Sequence, residues 1–366
     1  MITLKLSSSL LSRLAAAALL TASLGATAQT VPLAHDAHAY AYQSPMGAQA
    51  REAGVVASHD VHIAGADWLR LQLADVKLPQ GAKLRFTSLQ DGAQQHLDAK
   101  TIKQWRHTTA YFNGPVVRVE LLASRAGQAG SFEITKVLAG KPQNLPESQC
   151  GPTDDRVSSD KKDRARLIDV GCTVNLMTKG CFITAGHCLS SAGLVDLVEF
   201  NVPKSNANGT IVHPAPKDQY VPTTTRQFTN GGVGNDWGVF TVFANSETGL
   251  MPLEAQGSKL KMAKDVPLVG AQVEIHGYGV DSGVDNQTQQ LSLGPIASVN
   301  EGTTTLRYKA DTEGGNSGSA VLSGGRVVAI HTHGGCTTGG DGGSGNQGTL
   351  FTHKAFKKAF KQICSS

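Results

Sequence analysis

The chain has 366 residues, 40% of them apolar and only 17% charged, a composition that excludes a disordered polymer and leaves room for two ordinary domains. Its net charge of +4 is spread without a run of like charges, so neither nucleic acid nor an anionic membrane surface is expected as a partner. Beyond the N-terminus no apolar stretch approaches the length that crosses a bilayer as a helix, so a mature protein without a membrane anchor is expected.

Taken in chain order, Lys5 and Arg13 precede an apolar stretch from Leu14 to Leu24 that closes on Ala26-Thr27-Ala28. A basic start, a short apolar run and a small-x-small site predict a secretory signal peptide over 1–28, and with it export to the periplasm or the medium. All six cysteines lie from Cys150 onward, which divides an exported chain into a cysteine-free part and a disulfide-stapled part. The predicted boundaries are 29–145 for a β-rich N-terminal domain and 146–366 for the second domain.

Within the first domain, Trp68 to Leu73, Lys83 to Thr87, Val116 to Leu122 and Ser131 to Val137 alternate apolar and polar residues, and Gly, Pro and Asn break the runs. That pattern predicts a small antiparallel sandwich. His35, His38, His59, His62, His96 and His107 have no repeated metal-ligand spacing and are expected to be solvated. Lys141 to Arg166 is polar and aperiodic, which predicts an exposed lead-in open to a maturation cut. Further β-like runs follow at Val170 to Asn175, Gly180 to Thr184, Trp237 to Phe243, Gln272 to Gly277 and Arg326 to His331, and the tail His353 to Cys364 carries Phe356, Phe360 and Ile363 on one helical face.

Three segments carry chemistry. Gly314-Gly315-Asn316-Ser317-Gly318-Ser319 sets a serine in a glycine-rich turn, where Gly315 lets the backbone approach a substrate carbonyl and the Gly315 and Ser317 amides can share one oxyanion. With 41 glycines in the chain, that turn alone would be weak. Thr184-Ala185-Gly186-His187-Cys188 delivers a histidine at the end of an apolar run, and Cys172, sixteen residues before Cys188, can pin its loop by a disulfide. Asn235-Asp236-Trp237-Gly238 places an acid at the mouth of another run. A hydroxyl nucleophile, a base and an acid that holds the base's tautomer appear here in the order His, Asp, Ser.

These three segments resemble the motifs of the trypsin and chymotrypsin family over about Cys150 to Ser366, and Asp311 to Leu322 with Val328 to Thr332 is most similar to the bacterial glutamyl endopeptidases. The resemblance implies an all-β fold, a double six-stranded barrel with a C-terminal helix outside. It implies His187, Asp236 and Ser317 as the triad, no cofactor, no metal, protein or peptide substrates, and a monomer. It also makes Cys150–Cys336 and Cys181–Cys364 the expected partners beside Cys172–Cys188. The N-terminal sandwich resembles, more loosely, the β-rich propeptides of bacterial lysyl endopeptidases, which implies a folding aid or inhibitor removed on maturation, with a retained accessory domain as the alternative.

Two departures stand out: Asn316 occupies the place of the aspartate that pairs with a new N-terminal amine in animal trypsins, and Ala320 replaces a usual proline. Specificity is pulled two ways. Asp311 sits where trypsins hold Arg or Lys, whereas Thr312 and His331 match the positions that hold a substrate carboxylate in glutamyl endopeptidases. Cleavage after Glu is favoured, with Lys or Arg as the alternative. His331 and His333 are expected on one strand face without a third metal ligand. An esterase, or an inactive protease-like binding protein, remains the reading of another class.

Overall fold

The computed structural model describes residues 30–45, 50–141, 149–190, 197–336 and 345–364; the predicted signal peptide lies outside them. From His35 to Gly140 two four-stranded antiparallel sheets face each other. One runs in the order His35–Gln43, Ser131–Gly140, Trp68–Lys77, Phe112–Asn113, the other Gly54–His62, Val116–Ala123, Lys83–Ser88, Gln94–Leu97. Alternation sets the faces: Leu84 and Phe86 on one strand and Val117, Val119 and Leu121 on its neighbour point inward against Leu69, Leu71, Phe132, Ile134 and Val137. Each such side chain contributes about 1.5–3 kcal/mol, so Leu71→Ala at the centre would cost about 2–5 kcal/mol.

The rest of the chain forms two sheets of seven strands. In the second, Gln272–Gly277 pairs both with Ala320–Ser323 and with Gln290–Asn300, so six strands close into a barrel and Val157–Ser158 adds at its side. The first sheet, Gln219–Tyr220 through Leu197–Glu199, Arg164–Ile168, Cys172–Leu176, Phe182–Thr184 and Asp236–Val242 to Pro222–Asn230, is curled around its own core. The terminal helix Lys354–Ile363 buries Phe356, Ala359 and Ile363 against that core and is tethered by Cys181–Cys364. Two further disulfides join Cys172 to Cys188 and Cys150 to Cys336. The fold is a chymotrypsin-like double barrel with a C-terminal helix, preceded by a β-sandwich.

The two parts share a core, because Ile168, Leu197, Ile211 and Val221 of the first barrel pack into the sandwich cluster. Around them, amide side chains imitate strand pairing. Asn113 donates to His213 O at 3.0 Å and accepts from His213 N at 2.9 Å, and Gln219 does the same with the Tyr111 backbone at 2.9 Å each way. The His213 ring stacks on Tyr111 with centroids 4.4 Å apart.

Two expectations need correction. The lead-in is not exposed along its length: Asp163, Arg164 and Arg166 are buried, because Arg164–Ile168 is a barrel strand and Arg166 meets the buried Glu199 at 2.7 Å. Only 142–148 of that stretch lies outside the described residues. Nor are the N-terminal histidines all solvated, since His59 stacks on Tyr42 at 3.7 Å and His96 reaches Glu247 of the barrel at 2.9 Å.

Candidate active site

His187 lies in the one-turn helix Gly186–Ser190 directly after Phe182–Thr184. Gly186 is required there, because a Cβ would run into the Thr229 carbonyl. The turn presents His187 to Asp236, the first residue of Asp236–Val242. The His187 amide donates to Asp236 Oδ1 at 2.9 Å and Nδ1 faces Oδ2 at 2.5 Å. Asp236 is wholly buried, and its own amide is held by Thr349 Oγ1 at 3.1 Å. A carboxylate so fixed orders the ring and leaves Nε2 as its working atom.

The serine turn is tied down from the other barrel. Thr173 N donates to Ser317 O at 2.8 Å, Thr173 Oγ1 to Gly315 O at 2.9 Å, and Asn175 Nδ2 to Gly318 O at 2.7 Å. Gly315 has φ +98°, and a Cβ there would strike the Tyr278 carbonyl. Among the described residues the Gly315 and Ser317 amides donate to no protein acceptor, which is the condition for an oxyanion site. Ser317 Oγ is buried and has no hydrogen-bond partner among them. Cys172, His187 and Cys188 have metal-ligand spacing, but both sulfurs are bonded to each other and His187 Nδ1 faces Asp236.

The residues proposed for specificity separate. Asp311 turns to the lead-in: its Oδ1 accepts from Cys150 N at 2.6 Å and its Oδ2 from Asp155 N at 3.1 Å. Burial raises its pKa to about 6, against the lowering effect of those two amides. Thr312 Oγ1 and His331 Nε2, by contrast, are buried without a hydrogen-bond partner among the described residues. His331 is held neutral, its pKa pushed down to about 3 by burial and then by His333 and His187. A bulge separates His331 from His333, so the register against Asn346–Leu350 shifts between them and simple alternation does not apply.

Tyr308 escaped the sequence reading, since nothing marks a tyrosine at the end of a short strand. Its hydroxyl lies 2.5 Å from His331 Nδ1, whereas Gln347 O at 3.4 Å is too far to compete.

A family model of the trypsin-like peptidase domain matches residues 171–330. Among solved structures, a Glu endopeptidase in complex with MPD is 21% identical, with 59% of this chain and 100% of that one covered and a TM-score of 0.44. The protease Anisep from Arthrobacter nicotinovorans is 16% identical over 58% of this chain and 100% of that one, with a TM-score of 0.44. The thermostable serine protease AL20 from an extremophilic microorganism is 15% identical over 57% and 99%, with a TM-score of 0.43. No curated protein matches the chain. Residues 171–330 thus match a trypsin-like peptidase domain, and that match supports a serine endopeptidase activity for this part of the chain.

Proposed function

We propose that this endopeptidase is secreted, works through Ser317, His187 and Asp236, and cleaves after Glu. In the proposed reaction His187 Nε2 takes the proton of Ser317 Oγ as that oxygen attacks the scissile carbonyl. The Gly315 and Ser317 amides receive the oxyanion, His187 returns the proton to the leaving amine, and water then resolves the acyl-enzyme by the same route. Asp236 keeps the Nδ1 proton in place throughout.

The observation that carries the Glu reading is the pair of unpartnered buried donors, Thr312 Oγ1 and His331 Nε2. With Tyr308 O–H donating to Nδ1, the neutral ring carries its proton on Nε2 and can give it to a carboxylate. The alternative, Lys or Arg held by Asp311, is disfavoured because both oxygens of that carboxylate are engaged by lead-in amides. Peptides identical except for Glu, Asp, Lys or Arg before the scissile bond test the choice. Preference for a basic residue that disappears in Asp311→Ser would overturn it.

The N-terminal domain, on the same proposal, is a propeptide that restrains the enzyme. In support, Val31 N donates to Gly171 O at 3.2 Å and Leu33 N to Asp169 O at 2.8 Å, so residues 31–33 run along the 169–171 turn that leads into Cys172. The Val31 side chain stands 2.6 Å from where a Cβ of Gly314 would be, directly against the serine turn.

A further inference from the structure

In this chain Asn316 cannot make the ion pair by which a new N-terminal amine orders the serine turn, so something else must hold that turn. The lead-in occupies the place. Arg156, with a side chain only 2% exposed, forks onto Asp154, its Nε at 3.0 Å from Oδ1 and its Nη2 at 2.5 Å from Oδ2. Its remaining donors point at the barrel, Nη1 to Gln290 Oε1 at 3.1 Å and Nη2 to Val280 O at 3.0 Å. Val280 N then donates to Gly314 O at 2.8 Å, the carbonyl of the peptide whose N–H belongs to Gly315. Nη1 also lies 2.6 Å from where a Cβ of Gly279 would stand, a position shared by the Asn316 amide, so guanidinium and amide fill one slot that only glycine leaves open. At the other end of the same loop, Asp311 clamps Cys150 N and Asp155 N. The segment from 150 to 156 therefore holds the approach to Ser317 directly at Asp311 and, through Val280, at Gly314.

We propose that Arg156 is the positioning residue of the oxyanion turn: held by Asp154, it fixes Val280, Val280 fixes Gly314, and the Gly315 amide is set without an N-terminal amine. The inference rests on the Ser317 nucleophile proposed above. A planar guanidinium can serve Asp154, Gln290 and Val280 at once, and an ammonium cannot reproduce that fork. Asp154 is two residues away in sequence, so the arrangement is complete before any maturation cut that falls ahead of Cys150.

The test compares the processed wild-type enzyme with Arg156→Ala and Arg156→Lys. Active sites are counted with a fluorophosphonate, kcat is expressed per labelled site, and KM is measured with the preferred peptide. Arg156→Ala is expected to lower kcat per labelled site by about tenfold to a hundredfold with KM within about twofold, because a misaimed donor weakens only the transition state. Free guanidinium at low millimolar concentration should restore part of the loss, and Arg156→Lys should fall between the other two. Wild-type kcat per labelled site in Arg156→Ala overturns the inference, since a purely structural role reduces the number of labelled sites and not their turnover. Should Arg156→Ala not fold, the same criterion applied to Arg156→Lys decides. A wild-type enzyme that the reagent does not label at Ser317 overturns the nucleophile assignment and this inference with it, whereas a labelled wild type with an unaffected variant overturns this inference alone.

Discussion

At the scale of single residues, the proposed triad makes the sharpest forecast. Ser317→Ala and His187→Ala should each lower turnover on the order of a millionfold with the fold retained, because nucleophile and base act as one unit. Asp236→Asn should cost less, on the order of ten-thousandfold, by presenting the wrong tautomer. Steady-state rates on a denatured protein substrate, with circular dichroism as the control for folding, check all three. Tyr308→Phe leaves His331 Nδ1 without its hydroxyl partner, so on the proposed tautomer the preference for Glu over Gln should shrink about tenfold while cleavage itself persists, as paired peptides will read. Away from the triad, burial and then Arg164 and Lys161 push the His276 pKa from its ordinary 6.5 down to about 3. Between those two values the unfolded chain binds the proton and the folded one does not, so stability is complete above about 6.5 and falls as pH drops toward 3. His276→Gln should flatten that acid limb, measured as urea midpoints at a series of pH values.

At the scale of elements, what the sequence disclosed depended on how local the cause was. Gln272–Gly277 and the terminal helix were legible because apolar periodicity within the element decides them. His35–Gln43 and Gly54–His62 were not, since they are polar strands that exist only through pairing with Ser131–Gly140 and Val116–Ala123. Gln290–Asn300 was hidden by Gly294-Pro295 in its interior. In the candidate site, His187, Asp236 and Ser317 could be picked out by motif, whereas the roles proposed for Tyr308 and Arg156 rest on contacts that no spacing announces. The extended segment 31–33, bonded to Asp169 and Gly171, is of the same kind, and it permits a prediction. Leu33→Pro removes the amide that donates to Asp169 O and should raise the activity of the uncut chain about tenfold, read with a small ester substrate before any processing.

At the scale of the whole molecule, the sandwich and the first barrel meet through a shared apolar core and two reciprocal amide pairs, so a nick between them need not part them. The proposed cut has few candidate positions in the sequence. Lys141 is tied to Asp36 at 2.6 Å and Cys150 is bonded to Cys336, and between them the sequence has one acidic residue, Glu147. An enzyme that cleaves after Glu would release itself there. Glu147→Gln should therefore lengthen the lag before activity appears by about tenfold or more, and mass spectrometry of the wild-type product should find a chain beginning at Ser148. A wild-type product that begins elsewhere, with Glu147→Gln maturing at the normal rate, counts against cleavage after Glu.

The placement of the disulfides has a consequence for the lifetime of the protein. Two of the three bridge 186 and 183 residues of the protease half, and the sandwich has no cysteine at all. Long closed loops restrict the unfolded state most, so the crosslinked half is the one suited to endure exposure to proteases, its survival governed by how slowly it opens. The sandwich has no such crosslink, so on the propeptide proposal it is the part expected to be digested first. If it restrains the enzyme as proposed, its digestion is irreversible, and activation would then run in one direction only and give each molecule a single, unrenewed term of service.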